Sequence, residues 1–308
     1  MKIGVFSRNK GGDRYKNYHC SPCKIFKIID ELSKFVEFEY SLNNYKDQYD
    51  FAIVDRIQPV KNIKSRYILG IFETRPKGGW ATDFCSISPA VKNGGSNYFH
   101  LLNYCHGRYL DPKLLSKKRS GGVYIGRLSD AAEFKIKLLN NNGLRFDIFP
   151  IKYWEGKKIL RFHDGSKESV KNISFLQSKF SKSKVRRPVN HDGLYNVLNK
   201  NGYSYGFVPS IYGLGSKRIQ IESSSKFFEY IGAGIPVLIE NNVPEAKIVR
   251  ENPILGEIYS GRKDMLKKAA AMERGGYNHL KILNFAQKNH YPYNRAKKIY
   301  NNFIKSRI

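Results

Sequence analysis

Residues 223–239, SSSKFFEYIGAGIPVLI, constrain the fold more than any other stretch of the chain. Phe227, Phe228 and Ile231 recur at helical spacing, which predicts a short amphipathic helix with its apolar side turned inward. Ser223 to Ser225 offer hydroxyls for its N-cap. Gly232 and Gly234 are expected to end it in backbone of positive φ. Pro236-Val-Leu-Ile239 is short and branched enough for a parallel strand buried on both faces. Lys226 and Glu229 lie one turn apart on the polar side, near the helix N-terminus. A cation gains nothing from the dipole there, so an anion beside Lys226 explains it better. A carboxylate one turn on can accept two ribose hydroxyls. An exposed Lys–Glu pair is the competing, purely structural reading.

The chain before this segment repeats the same alternation. Lys2 to Ser7 reads as a first buried strand, followed by the loop Arg8-Asn-Lys-Gly11-Gly12-Asp13. A glycine loop after the first strand lies at the carboxyl edge of a parallel sheet, where ligands bind. A helical pattern covers 23–35, and strand patterns cover 36–40, 49–55, 67–73 and 84–88. The basic, glycine-ended stretch 111–122 reads as a linker. A second unit then opens with a strand from Val123, a helix over 132–140 and a strand over 145–150. A helix over 194–200 and a strand over 203–209 lead to the central segment, with helices from Val243 and over 262–272 beyond it. Residues 155–188 are polar and Lys/Ser-rich, without a clear period. The expected organisation is α/β: a Rossmann-like domain over 1–116, a second over 117–285, and a terminal helix over 286–308 that crosses back to the first. There is no P-loop, and no GxGxxG in the first βα turn.

Charge adds a second constraint. The 308 residues carry a formal charge of +28 at pH 7. Residues 1–116 hold 18 basic and 11 acidic side chains, and the remainder hold 36 and 15. That excess points to an anionic partner, nucleic acid such as duplex DNA, an anionic membrane surface or an acidic glycan, although abundant Lys, Asn, Ile and Tyr also fit compositional drift. Cys20, Cys23, Cys85 and Cys105 are few and unevenly spaced, so a reducing, cytoplasmic setting is expected. His19-Cys20-x-x-Cys23 has half the spacing of a structural zinc site and no second half, so no metal is expected.

The segment Lys226-Phe-Phe-Glu229-Tyr-Ile-Gly-Ala-Gly-Ile-Pro236-Val resembles the nucleotide-binding segment of the GT-B glycosyltransferases. The resemblance implies two Rossmann-like domains facing across a cleft, with Glu229 on the ribose of a nucleotide sugar and Lys226 towards its phosphates. Many retaining members carry a second Glu eight residues earlier; here that position is Ile221, and Glu222 is one residue off. An inverting displacement is therefore expected. Tyr124-Ile-Gly126-Arg127 opens the second domain at the turn that faces the cleft in this fold. Gly126 and Gly12 let backbone approach the diphosphate, and Arg127 can make charge-assisted bonds to it.

In the first domain, Ser21 to Leu32, Tyr49 to Val54 and Tyr67-Ile-Leu-Gly-Ile-Phe-Glu73-Thr-Arg75-Pro76 run in an order similar to the phage DNA β-glucosyltransferases. That resemblance implies a UDP-sugar donor, UDP-glucose first, and a hydroxymethylated pyrimidine in duplex DNA as acceptor, with no metal strictly required. Glu73 matches the catalytic base and Arg75 an arginine that follows it. Ser21 falls near an acidic position of that family. A base must take the acceptor hydroxyl's proton, and a carboxylate at a strand's carboxyl end is well placed to do so. Asp13, Asp55 and Asp83 are rivals to Glu73. Trp80 and Arg75 are candidates to fill the space left by a flipped base. Lys184, Arg186 and Arg187 form a basic cluster able to track phosphates. A peripheral membrane glycosyltransferase of cell-surface glycan synthesis is the alternative. A non-catalytic nucleic-acid-binding protein on the same scaffold is a lesser one.

Overall fold

The computed structural model describes residues 1–7, 21–55, 62–72, 81, 83–87, 98–102, 105, 110–115, 119–155, 158–162, 167–189 and 191–308. These form two compact units. One comprises Met1–Tyr104 with Ile221–Ser223 and Lys288–Ile308; the other comprises Cys105–Gln220 and Ser224–Gln287.

The first unit is built on a six-stranded sheet. Its strands are β1 (Lys2–Ser7), β2 (Glu39–Leu42), β3 (Gln48–Asp55), β4 (Lys64–Phe72), β5 (Asp83–Ser86) and β6 (Tyr98–His100), in the order β2-β1-β3-β4-β5-β6. Every pairing is parallel. Helix α1 (Ser21–Leu32) buries Ile25, Ile28, Ile29 and Leu32 on one side, the i, i+3, i+4 spacing of an amphipathic helix. These join Ile3, Val5, Phe51 and Ile53 of the sheet in one core. Ala296, Ile299, Phe303 and Ile304, from the last residues of the chain, complete that core.

The second unit holds β7 (Gly122–Leu128), β8 (Phe146–Glu155), β9 (Lys158–Arg161), β10 (Ser183–Val185), β11 (Tyr205–Val208), β12 (Val237–Glu240) and β13 (Gly256–Tyr259). Six run parallel in the order β10-β8-β7-β11-β12-β13, and β9 folds back antiparallel on β8. Between them lie α2 (Asp130–Asn141), α3 (Lys167–Lys179), α4 (His191–Asn201), α5 (Ser225–Gly232) and α6 (Ala246–Glu251). After β13 come α7 (Gly261–Glu273) and α8 (His279–Asn289), and then α9 (Pro292–Ile299), which belongs to the first unit. The stretch 155–188, without a clear period in the sequence, supplies β9, α3 and β10. No helix among the described residues is long and apolar enough to cross a membrane.

Two local expectations need correction. The N-cap of α5 is Ser224, and its side chain makes no capping bond; its backbone N–H instead donates to Glu245 Oε1 at 2.9 Å. Gly232 is helical, and Gly234, with φ +67, makes the turn. Gly232 is small for a different reason. A Cβ there would stand 2.5 Å from the Tyr195 hydroxyl and 3.0 Å from Cys105 Cβ.

Candidate functional site

The order β8-β7-β11 places the connections from β7 and β11 on opposite sides of the second sheet. Such a reversal opens a crevice at the carboxyl ends of the two strands, the general ligand position of open α/β sheets. β11 pairs with β7 only at Tyr205–Gly122 and Gly206–Val123, and the strands separate beyond. Tyr230 of α5 enters that gap. Its hydroxyl accepts from Ile125 N–H at 3.0 Å and donates to Val123 O at 3.1 Å. One side chain thus satisfies two buried backbone groups that the diverging ladder leaves unpaired. Gly206 makes room, since a Cβ there would collide with the Tyr230 ring.

This anchor sets the position of Lys226, one turn earlier on the same side of the helix. Its Nζ lies 5.3 Å from the Tyr124 ring centroid. Its Cε would be 3.4 Å from a Cβ on Gly126. Gly126 sits where β7 shifts register against β8, with φ +96, a conformation only glycine adopts without strain. The Tyr124 hydroxyl donates to Arg127 O and holds the bulge. Arg127 is exposed and close enough to act on Lys226 electrostatically. Gly126, Arg127 and Lys226 therefore share one edge of one sheet.

Lys226 is partly buried, and no described residue meets its ammonium in a hydrogen bond or ion pair. Burial pulls its pKa down to about 8, the Arg127 charge adds to the fall, and Glu245 offsets part of it. A desolvated cation beside a second cation is unfavourable unless an anion arrives. Glu229 is fully buried, and Tyr195 of α4 donates to its Oε2 at 2.9 Å. Asn199 Nδ2 donates to Ala233 O at 3.0 Å, tying α4 to the end of α5.

The loop after β11 is fixed from beneath. Lys135 Nζ donates to Ser210 O, Tyr212 O and Glu240 Oε2, the last at 2.5 Å. Ser210 N–H and the Tyr259 hydroxyl also donate to Glu240. Above it, Phe134, Ile211, Leu214 and Arg262 line a cavity of about 710 Å3. Sequence reasoning missed Tyr124, Tyr195 and Tyr230. The available signal for Tyr230 was its spacing of four from Lys226, together with Gly206 in an otherwise large-residue strand.

The remaining candidates separate from this group. Lys184 and Arg186 lie at the amino end of the sheet: β10 pairs with the first residues of β8, opposite the start of β7. Arg186 Nε donates to Asp147 Oδ2 at 2.5 Å, and Arg187 is exposed next to it. Asp83 begins β5, at the amino end of its strand, and is paired with Arg307 at 2.8 Å. That pairing and position remove it as a rival base. Glu73, Asp13, Gly12, Arg75 and Trp80 lie outside the described residues, as do His19, Cys20 and the side chains of Cys23 and Asp55. Among the described residues no group of three His, Cys, Asp or Glu is arranged to hold a metal.

No protein-family profile matches the sequence, and no curated protein does. Solved structures do match. AviGT4, a glycosyltransferase involved in avilamycin A biosynthesis, is similar over 98% of this chain and 96% of its own, with a TM-score of 0.64 and 14% identity. The fold is GT-B. S. aureus MnaA, solved with UDP, matches over 100% of this chain and 97% of its own, at TM-score 0.51 and 11% identity. The UDP-GlcNAc 2-epimerase of Neisseria meningitidis, solved with UDP-GlcNAc, matches over 99% and 100%, also at 0.51 and 11%. Glycosyltransferases and sugar-nucleotide epimerases thus share this GT-B architecture.

Proposed function

We propose that the chain is a nucleotide-sugar-dependent glycosyltransferase of inverting type. The observation that carries this reading is the Lys226 ammonium, half out of solvent and not ion-paired with any described residue, over Gly126 and beside Arg127. A diphosphate laid along that edge would meet two cations and a backbone bare of side chain. Glu229, one turn further along α5, would take the ribose, with Tyr195 holding its carboxylate in place. A UDP-sugar, UDP-glucose first, is the donor we infer, because two of the structural neighbours were solved with UDP or a UDP-sugar.

In the displacement, the acceptor oxygen attacks the anomeric carbon as the bond to the diphosphate breaks. The nucleotide diphosphate leaves with the electron pair, and a base takes the acceptor's proton. Lys226 and Arg127 stabilise the charge that develops on the leaving group. Glu73 is the base we propose, with Asp13 as its rival. For the acceptor, the charge excess beyond residue 116 keeps duplex DNA carrying a hydroxymethylated pyrimidine ahead of a lipid-linked glycan at an anionic membrane.

The test is incubation with UDP-sugars, alone and with each acceptor. Sugar transfer to an acceptor supports the reading; inversion at C2 of UDP-GlcNAc without an acceptor makes the protein an epimerase instead. Glu73→Gln is expected to lower turnover about a hundredfold and to leave UDP affinity unchanged by calorimetry. Wild-type turnover in Glu73→Gln, lost in Asp13→Asn, would transfer the role to Asp13.

A further inference from the structure

The amino end of the second sheet carries a separate concentration of positive charge. A cavity of about 360 Å3 opens there, reaching from Lys182 and Lys184 on the β10 side to Gly121 and Gly122 at the start of β7. Arg145 and Arg186 also line it, and Asp147 is the one acid in its wall. Asp147 is already engaged, accepting from Arg186 Nε at 2.5 Å and from the Tyr203 hydroxyl at 2.7 Å. Arg145 is close enough to Glu273 to act on its carboxylate electrostatically. Arg186 is ion-paired with Asp147, and Arg145 has Glu273 as an acid within electrostatic reach. Lys182 and Lys184 are both exposed and without an ion pair among the described residues.

Two ordinary explanations for these lysines fall short. Helix carboxyl ends attract cations, and α3 and α4 both end near this cavity. Their last turns already contain Lys179 and Lys200. Lysines on an edge strand also deter strand addition, and β10 is an edge strand. A guarding lysine points away from the sheet, however, whereas these two line a hollow that runs two strands inward to β7. They alternate with buried Ser183 and Val185, so both stand on the open side of the strand.

We propose that this cavity is a second anion site, built for a dianionic phosphate group carried by a small molecule other than the donor nucleotide. Two uncompensated ammonium groups match the charge of a phosphomonoester, and the cavity lies at the small end of ligand-site volumes. The site lies at the opposite end of the strands from Lys226 and does not depend on the donor reading.

The probe is inorganic pyrophosphate, titrated calorimetrically into the full chain at low salt. Wild type is expected to bind two equivalents. Lys182→Ala/Lys184→Ala should lose one and keep its UDP affinity, while Lys226→Ala should keep that one. Lys182→Arg/Lys184→Arg should restore binding, and Lys182→Met/Lys184→Met should not. A single equivalent in wild type, abolished by Lys226→Ala, would overturn the proposal. So would duplex DNA binding that weakens tenfold or more in Lys182→Ala/Lys184→Ala while pyrophosphate binding does not change, since the surface would then serve a polyanion. Failure of the donor reading would look different: loss of UDP binding specificity with the second equivalent intact.

Discussion

The two ends of the second sheet handle positive charge in opposite ways. At the carboxyl end a single ammonium is drawn partly out of solvent, next to Arg127, and its pKa falls to about 8. At the amino end four cations line an open hollow: Arg186 is ion-paired with Asp147, Arg145 acts on Glu273 electrostatically, and Lys182 and Lys184 are exposed. The first arrangement carries an electrostatic penalty that an anionic ligand would relieve, so geometry would decide what binds. The second stores little, because exposed charges are screened by water and salt. A buried cation is thus a sharper sign of a selective site than a larger number of exposed ones.

The largest expected effect breaks the two ends apart. Lys226→Ala should weaken UDP binding by about 1.5–3 kcal/mol, the range of a hydrogen bond to a charged group. Lys182→Ala/Lys184→Ala should leave it within error. Calorimetry on both variants checks this, and equal losses would mean that the two ends form one field rather than two sites. Next, Glu229→Ala should cost UDP binding about 1–3 kcal/mol and leave pyrophosphate untouched, since pyrophosphate has no ribose. A folded Glu229→Ala variant with unchanged UDP affinity would reduce Glu229 to a support for Tyr195. The smallest effect is on pH dependence. A bound anion favours the charged lysine, so UDP affinity should hold below pH 8 and fall as pH rises through the Lys226 pKa of about 8. Lys226→Arg should flatten that fall, and Lys182→Ala/Lys184→Ala should not change it.

Much of this was legible in the chain itself. The alternation of branched apolar runs with helical patterns specifies two parallel sheets, and Gly126, Arg127 and Lys226 do share one edge. β13 was missed because Gly256-Glu-Ile-Tyr259 is four residues long and follows directly on a 3-10 turn at Pro253. β6 was missed because Tyr98-Phe-His100 is only three residues long. The basic run 182–187 read as one phosphate-tracking patch, but its periodicity says nothing about which end of a strand it occupies. That depends on the register of β10 against β8, a long-range property. The Tyr195–Glu229 bond is equally non-local, joining two helices 34 positions apart.

The tail that closes the first core has a consequence for how the chain is made. Ala296, Ile299, Phe303 and Ile304 pack against Ile25, Ile28 and Phe51, and Tyr300 stacks on Phe35 at 5.6 Å. The first unit thus begins to leave the ribosome before the second and is finished after it. At typical synthesis rates the gap between Tyr104 and Ala296 is roughly 10–40 s. Throughout that interval the apolar side of α1 has the sheet residues of its core but not those of the tail, while the second unit, whose residues end at Gln287, already has its whole sequence earlier than the first does. Translation order and folding order are therefore inverted between the two halves, and the final dozen residues act as the latch that ends the wait.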